Sequence, residues 1–279
     1  MAEAHLPTLH PRTRGKNRYV YAVRARRSRG ISIGINLDPQ KTCNFDCIYC
    51  EVIDRREIAK GTGRPAIAIE DVACELAEEL ASRPRAAASG ADAVRDIAFA
   101  GDGEPSTFRG FLPLARALFD VRDAAGFAHV PFVLITNGSG LARGEMYEVH
   151  DLFAARGGAF WIKLDAGTEG FYKTICRSEI PFERILANLT GAAKRHSVVV
   201  QAMFLRLRGE LPPRNEIAAW AKRLAAVRDA GGRLSLVQVY TVARETMEPG
   251  VSALTKTELE DIAAAARAAV PDLPVETFD

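Results

Sequence analysis

Cysteine, histidine and tryptophan are scarce in this chain, which has only 5, 5 and 2 of them among 279 residues. Long apolar runs are missing too: none approaches the roughly 18 residues that a membrane-spanning helix needs, so we expect no membrane segment. The basic first residues lack the apolar stretch of a secretion signal. We therefore expect a cytoplasmic protein with reduced thiols, in which the positions of the few cysteines are informative.

Charge of one sign is concentrated at the start of the chain. The net charge is only +2, yet residues 1–30 contain eight basic residues and one acidic residue. We interpret residues 1–30 as a basic N-terminal arm, which suggests an anionic partner such as RNA. A solvated, partly disordered arm is the alternative. No stretch rich in Gly, Pro or Ser divides the remainder, so residues 31–279 are predicted to be a single domain.

Short apolar runs alternate with amphipathic helical patterns after residue 30, which predicts βαβ units and a parallel sheet. The predicted strands are 31–37, 96–99, 131–136, 160–164, 198–204 and 234–240. The predicted helices lie near 69–83, 109–124, 142–155, 182–195, 213–230 and 255–269. The expected fold class is therefore α/β, with a barrel-like sheet of about six strands rather than the eight of a complete TIM barrel.

Three of the five cysteines fall within eight residues, as Cys43, Cys47 and Cys50. Three thiolates at C-x3-C-x2-C spacing suit three corners of a [4Fe–4S] cluster and leave the fourth iron without a protein ligand. Such an iron can hold a small molecule, which favours a catalytic cluster. Zinc is the alternative, although it usually needs paired C-x2-C ligands or a nearby Cys/His pair. A disulfide is a weaker interpretation, because it would join only two of the three cysteines.

This motif, with the aromatic Tyr49 before its third cysteine, resembles the signature of the radical S-adenosylmethionine (radical SAM) superfamily. The resemblance implies a partial (β/α)6 TIM-type barrel, with the cluster loop directly after the first strand. It also implies that the open iron chelates S-adenosylmethionine. One electron then cleaves this cofactor to methionine and a 5′-deoxyadenosyl radical, which abstracts hydrogen from a substrate. Tyr49 would pack near the adenine.

Polar residues at the ends of the predicted strands are further candidates, because ligands bind there in barrels of parallel strands. Gly101-Asp102-Gly103-Glu104 follows the second strand and resembles the family's Gly-Gly-Glu motif, which binds the methionine amino group. Glycines let a backbone approach a ligand closely, and Glu104 offers a carboxylate to an amine. The alternative is an ordinary glycine-rich turn. Ribose hydroxyls, a carboxylate or the substrate could be bound by Asn137, Asp165 and Gln201, although each alone could be a turn or capping residue.

Lys163 lies within an apolar strand and is the candidate catalytic residue. It could bind a carboxylate or phosphate or, with a lowered pKa, form a Schiff base. The alternative is an exposed lysine whose stem covers apolar surface. Cys176 could approach the strand ends, whereas Cys74 is expected to be a buried core residue of its helix.

Several further stretches resemble a bacterial radical SAM group related to the radical enzyme of wybutosine synthesis, but without its flavodoxin domain. They are 19–22, 32–37, 201–206 and 237–244. This resemblance implies a purine nucleotide or tRNA as substrate and a separate flavodoxin or ferredoxin as electron donor. Two other classes stay open: a radical SAM activase acting on a protein, and a non-catalytic iron–sulfur or zinc protein.

Overall fold

The computed structural model describes residues 17–52, 67–84, 90 and 92–279. Its strands are β1 (Val20–Ala25), β2 (Gly30–Ile35), β3 (Val94–Phe99), β4 (Phe132–Thr136), β5 (Gly158–Lys163), β6 (Ser197–Met203), β7 (Arg206–Leu207), β8 (Arg233–Tyr240), β9 (Val251–Ser252) and β10 (Val275–Phe278). Its helices are α1 (Ile69–Ala81), α2 (Phe111–Ala124), α3 (Gly144–Arg156), α4 (Glu169–Cys176), α5 (Phe182–Arg195), α6 (Arg214–Asp229) and α7 (Lys256–Ala269). The predicted strands and helices are all confirmed, with ends within two residues of those expected.

Among the strands longer than two residues, β1 and β10 were not predicted, and neither was helix α4. Strand β1, which includes one arginine, lies inside the stretch interpreted as a basic arm, and it pairs with β2 in antiparallel register. The start of β1 is held by helix α1, because the Glu75 carboxylate accepts hydrogen bonds from the backbone N–H groups of residues 18–20. Helix α4 is only two turns long, and β10 lies near the end of the sequence. The division into an arm and a single domain stays a prediction.

Residues 17–43 and 67–161 belong to one of two compact units, called here the first unit. Its strands β2, β3 and β4 are parallel neighbours. An aromatic core lies between strands and helices, with ring centroids of Phe99 and Phe132 5.4 Å apart and those of Phe119 and Phe132 4.5 Å apart. Because parallel strands end at the same edge, the loops after β2, β3 and β4 meet there.

Residues 44–52 and 162–279 belong to the second unit, in which β6, β8 and β10 are parallel. Trp220 of α6 is fully buried, packs edge-on against Phe204 and donates from Nε1 to the Leu164 carbonyl at 3.0 Å. Glu216 of the same helix accepts hydrogen bonds from the backbone N–H of Gly167 and from the N–H and hydroxyl of Thr168. Helix α6 therefore fixes the segment that follows β5.

One eight-stranded sheet contains the strands in the order β1-β2-β3-β4-β5-β6-β8-β10, and β7 pairs with β9 in a separate two-stranded sheet. The parallel strands alternate with helices along the chain, which confirms the α/β class. None of the helices in the described part of the chain is long and apolar enough to span a membrane.

Candidate functional site

The glycines of the Gly101–Glu104 turn contact the loop that follows β2. A Cβ atom at Gly101 would collide with the side chain of Asn36, and one at Gly103 would collide with Asp38. Asn36 also donates to the Asp102 carboxylate at 2.7 Å and accepts from the Asp102 N–H at 3.1 Å. The packing of two loops therefore accounts for these glycines, and Asp102 already has a partner within the protein. Ligand contacts of Asp102 and Gly103 stay predictions.

Glu104 joins the loops that follow β3 and β4. Its Oε1 accepts from the Ser106 N–H at 3.0 Å and from the Thr136 hydroxyl, and its Oε2 accepts from the Asn137 N–H at 2.7 Å. Burial raises the pKa of this carboxyl, and the hydrogen bonds oppose the shift. A carboxylate can accept about four hydrogen bonds, so Oε2 retains one acceptor position. That position is where an ammonium could bind.

Asn137 has a local role in addition to any contact with a ligand. Its side-chain oxygen accepts from the Ser139 N–H at 3.0 Å, and the intervening Gly138 has φ 82°. This arrangement is an Asx turn, in which the left-handed conformation favours glycine. The backbone of Asn137 is thereby held against Glu104, while the proposed cofactor contact of its side chain stays a prediction.

All three cysteines of the motif are partly exposed, and none of them forms a disulfide. The Cys50 N–H donates to the Cys47 carbonyl at 3.1 Å, so these two residues stand at the ends of one turn. Within the described residues, no three His, Cys, Asp or Glu side chains are grouped closely enough to hold a metal ion. A [4Fe–4S] cube binds each thiolate on a different iron, so its ligands lie farther apart than those of a single ion. Cysteines at this spacing and outside disulfides suit a cluster, and the cluster assignment stays a prediction.

A segment after β8 holds the end of the cysteine loop. The Met247 N–H donates to the Cys50 carbonyl at 3.1 Å, and the Arg244 guanidinium pairs with the Glu51 carboxylate at 2.6 Å. The two charged residues are 193 positions apart in sequence. The sequence analysis did not predict this pair, because no motif with a fixed spacing links the two residues.

Lys163, the candidate catalytic residue, is surrounded by polar and aromatic groups. Its Nζ lies 2.6 Å from the Tyr240 hydroxyl and 3.3 Å from Asp165 Oδ2, and it lies over the rings of Tyr49 and Tyr240 at 4.9 and 5.1 Å from their centroids. Burial would lower the pKa of Lys163, but Asp165 and Tyr240 raise it above its ordinary value. The side chain is therefore an ammonium at neutral pH. The alternative of an exposed surface lysine is wrong.

Asp165 connects this lysine to the cysteine loop. Its carboxylate accepts from the Met203 N–H at 2.8 Å and from the Tyr49 hydroxyl. Burial and the Asp165 charge raise the pKa of Tyr49, so its hydroxyl keeps its proton. The structure thus brings three predicted site residues, Tyr49, Lys163 and Asp165, into one network, together with Tyr240, which the sequence analysis did not select.

Gln201 lies on β6 opposite Gln238 of β8 and is fully buried. Its Nε2 donates to Gln238 Oε1 at 2.8 Å, whereas its own Oε1 accepts no hydrogen bond from any group in the described residues. A buried acceptor without a donor is costly, which makes it suited to a ligand hydroxyl or amine. S-adenosylmethionine has both hydroxyl and amino groups that can donate a hydrogen bond, so Gln201 fits a contact with this cofactor.

Cys176, at the end of α4, is buried and contacts the motif through Cys47. A hydrogen bond between the two thiols lowers the pKa of Cys47, against the effect of burial, and raises that of Cys176. The Asp46 N–H donates to the Cys176 carbonyl at 3.1 Å and the Ile48 N–H donates to the Ile175 carbonyl at 2.9 Å, so the backbone places Cys176 beside the cysteine loop. Cys74 is exposed on α1, so the expectation that it would be a core residue is wrong.

Comparison with known proteins gave several similar structures, although the chain matches no protein-family model. One is SuiB of Streptococcus suis bound to S-adenosylmethionine, with a TM-score of 0.59 and 11% identity over 88% of this chain and 50% of that one. A second is a radical SAM methyltransferase from Sphaerobacter thermophilus, with a TM-score of 0.59 and 13% identity over 89% of this chain and 66% of that one. A third is TYW1 with a lysine-pyruvate adduct bound, with a TM-score of 0.52 and 16% identity over 86% of this chain and 74% of that one.

Among curated proteins, the chain is 30% identical over 162 residues to the GTPase Obg of Brachyspira hyodysenteriae. The matched region is 57% of this chain, and it spans only 21% of that relative's length. The phosphate-binding signature G-x4-G-K-[ST] does not occur in the present sequence.

The structural similarities cover most of the chain at low sequence identity, so they establish its architecture. The protein has the fold of radical SAM enzymes, an α/β partial barrel of the TIM type, as the sequence analysis predicted.

Proposed function

We propose that this protein is a radical SAM enzyme. The observation that carries the proposal is a set of three cysteines at C-x3-C-x2-C spacing, none of them in a disulfide, beginning in the loop after β2 of a chain with the radical SAM fold. A zinc site or a purely structural cluster would give no role to Gln201 Oε1, a buried acceptor that has no donor in the described part of the chain.

Cys43, Cys47 and Cys50 would hold a [4Fe–4S] cluster. When bound, the cluster supplies one electron that cleaves S-adenosylmethionine to methionine and a 5′-deoxyadenosyl radical. The chain's own contribution is to bind and orient the cofactor: Glu104 Oε2 offers its remaining acceptor position to the amino group, and Gln201 Oε1 accepts from a hydroxyl or amine. A separate flavodoxin or ferredoxin would supply the electron in a reducing cytoplasm.

Lys163 is proposed to bind an anionic group, such as a carboxylate or phosphate. The ammonium has three N–H donors: the Tyr240 hydroxyl accepts one at 2.6 Å, Asp165 Oδ2 lies 3.3 Å from Nζ, and a third donor can serve a bound anion. The name of the similar TYW1 structure describes a lysine-pyruvate adduct. In the present chain, the raised pKa of Lys163 favours a charge role over attack by a neutral amine.

Anaerobic reconstitution with iron and sulfide, followed by S-adenosylmethionine and dithionite, tests the proposed chemistry. We expect about four irons per chain and release of 5′-deoxyadenosine. Replacing Cys43, Cys47 and Cys50 by Ala should abolish both, whereas Cys74→Ala should change neither, because Cys74 is exposed on a different segment. Iron retained by the triple variant, or an intact cluster without cofactor cleavage, would refute the proposal.

A purine nucleotide or tRNA is the proposed substrate, supported by the basic residues near the start of the chain. Arg12, Arg14 and Lys16 lie outside the described residues, and Arg24 pairs with Asp92 at 2.6 Å. If the other arginines contact phosphates, RNA affinity should fall steeply with salt.

Filter binding of the host's tRNA pool at several salt concentrations measures this dependence. Neutralising Arg26, Arg27 and Arg29 together should weaken binding and reduce the salt slope, while substrate-free cofactor cleavage persists. If tRNA does not bind at low salt, a protein substrate, as for an activase, takes precedence.

A further inference from the structure

A row of polar side chains crosses four neighbouring strands of the second unit at one level of the sheet. Gln201 of β6 is the register partner of Gln238 of β8, and Gln238 is the register partner of Glu276 of β10. The Leu164 N–H donates to the Gln201 carbonyl at 2.8 Å, which brings Lys163, the last residue of β5, to the same level. We call Lys163, Gln201, Gln238 and Glu276 the polar row.

The polar row lies on one face of the sheet. Side chains alternate between the two faces along a strand, and register partners on neighbouring strands point to the same face. Tyr240 follows Gln238 by two positions and therefore shares its face, and the Tyr240 hydroxyl accepts from Lys163 Nζ at 2.6 Å. Gln201 and Gln238 are 0% and 2% exposed, so this face holds two side-chain amides away from water.

A hydrogen bond joins the two amides and leaves one acceptor of the pair open. Gln201 Nε2 donates to Gln238 Oε1 at 2.8 Å, while Gln201 Oε1 has no donor among the described residues. An amide pair that served stability alone would satisfy this oxygen, because a buried acceptor without a donor costs about as much as a lost hydrogen bond. The open oxygen therefore indicates a ligand that donates.

Charges at the two ends of the polar row favour this orientation of the amides, because side-chain dipoles orient in the field of the protein. The Lys163 ammonium favours a carbonyl oxygen on the β5 side of Gln201. The Glu276 carboxylate, at the register position next to Gln238, favours an NH2 group on the β10 side. Both preferences are met when the NH2 group of Gln201 faces the oxygen of Gln238. The reverse orientation would bring like partial charges together at both ends.

We infer that Gln238 is a positioning residue for the cofactor site: it holds the Gln201 amide by its NH2 group, so that Gln201 Oε1 faces a donor of S-adenosylmethionine. This inference rests on the proposed function, in which Gln201 contacts the cofactor. The terminal torsion of glutamine has only a broad, roughly two-fold preference, so an amide without a partner presents its oxygen or its NH2 group with little selectivity. Gln238 would thus raise cofactor affinity without touching the cofactor.

A double-mutant cycle tests whether Gln238 acts through Gln201. Methionine has about the shape of glutamine and lacks the amide. Reconstituted proteins are titrated calorimetrically with S-adenosylmethionine. Gln201→Met and Gln238→Met should each weaken binding about two- to tenfold, the effect of one hydrogen bond. The double variant should bind no more weakly than Gln201→Met, because Gln238 then has no amide to orient.

Ser235→Ala is the matched control on the same strand. The Ser235 hydroxyl of β8 donates to the Val198 carbonyl of β6 at 3.2 Å, so this variant also loses a hydrogen bond between the two strands. Ser235→Ala and Gln238→Met should both lower the melting temperature, and only Gln238→Met should change the dissociation constant. A merely structural role for Gln238 would make the two variants alike in both measurements.

Three results would overturn the inference. Unchanged affinity in Gln238→Met shows that the Gln201 amide needs no partner. An equal loss of affinity from Gln238→Met in the presence and absence of Gln201 shows that Gln238 acts through packing. If Gln201→Met binds S-adenosylmethionine as tightly as the parent protein, the cofactor contact is wrong and the inference fails with it.

Nuclear magnetic resonance of cluster-free protein tests the amide orientation without the cofactor. In protein labelled with 15N-glutamine, the NH2 signals of Gln201 are identified by their loss in Gln201→Met. These protons should exchange with solvent about two- to tenfold more slowly in the parent protein than in Gln238→Met, because only the parent has the acceptor. Equal exchange rates would overturn the inference. If the protons are protected but the parent protein binds no cluster, the proposed function fails and the amide orientation stands.

Discussion

Replacing Glu104 by Gln removes a charge without changing the shape of the side chain. The carboxylate is 4% exposed and accepts from Ser106, Thr136 and Asn137. An amide has one oxygen and one NH2 group, so whichever way it turns, its NH2 faces a backbone N–H that needs an acceptor. Glu104→Gln therefore leaves the N–H of Asn137 or that of Ser106 unpaired in a buried position.

The expected loss of stability follows from that unpaired donor. A buried donor without an acceptor costs about 1–3 kcal/mol. With about 2–4 °C of melting temperature per kcal/mol for chains of this size, the transition should fall by about 2–12 °C. If Oε2 also binds the amino group of S-adenosylmethionine, loss of a charge-assisted hydrogen bond worth about 1.5–3 kcal/mol should weaken cofactor binding about ten- to a hundredfold.

Glu75→Gln is the matched control. This carboxylate also accepts from three backbone N–H groups, at 2.8–2.9 Å, and its partners, residues 18–20, are not among the residues selected for the cofactor. Thermal unfolding of cluster-free protein and calorimetric titration of reconstituted protein with S-adenosylmethionine give the two readouts. Both variants should melt earlier, and only Glu104→Gln should lose cofactor affinity. An unchanged melting temperature for Glu104→Gln refutes the hydrogen-bond reasoning, and an unchanged dissociation constant refutes the cofactor contact.

Three further changes test other contacts. Arg244→Glu should break the pair with Glu51 and so speed the loss of cluster absorbance when a chelator is added. Adding Glu51→Arg to the same protein restores a pair of opposite charges and should slow this loss again. Equal rates in the three proteins would contradict the role of the pair. Lys163→Met leaves a buried carboxylate without its cation and should lower the free energy of unfolding in urea by about 3–5 kcal/mol, which an unchanged midpoint would disprove. Gly101→Ala should destabilise by about 1–3 kcal/mol through overpacking, unlike Gly170→Ala, where the added methyl meets open space.

The fold was predictable because its signals are local. Each strand and helix that was predicted is indicated by a window of about 5 to 15 residues whose apolar period differs between strands and helices. Strand β1 was not predicted because it lies in a stretch that was interpreted from its basic charge, and its pairing with β2 depends on a contact between two segments. Helix α4 was not predicted because a helix of 8 residues has too few turns to show a helical period of apolar residues.

The residues of the candidate site also differ in whether a local sequence pattern could identify them. Cys43, Cys47 and Cys50 could be selected from the sequence alone because their ligand spacing lies within one loop. The roles of other residues depend on partners that are distant in the chain. Tyr240, which contacts Lys163 from 77 positions away, lies in the stretch 237–244, but no spacing within that stretch indicates the contact.

Sequence by itself determined the α/β class, the bounds of most elements and the loop with the three thiols, because each depends on neighbouring residues. Only the tertiary structure decided that Gly101 and Gly103 pack against Asn36 and Asp38, that Glu104 joins two loops, and that the Cys176 carbonyl accepts from the cysteine loop. The physical reason is that burial and hydrogen-bond partners are properties of folded neighbours. Those neighbours come together only when strands that are distant in sequence pair in a sheet.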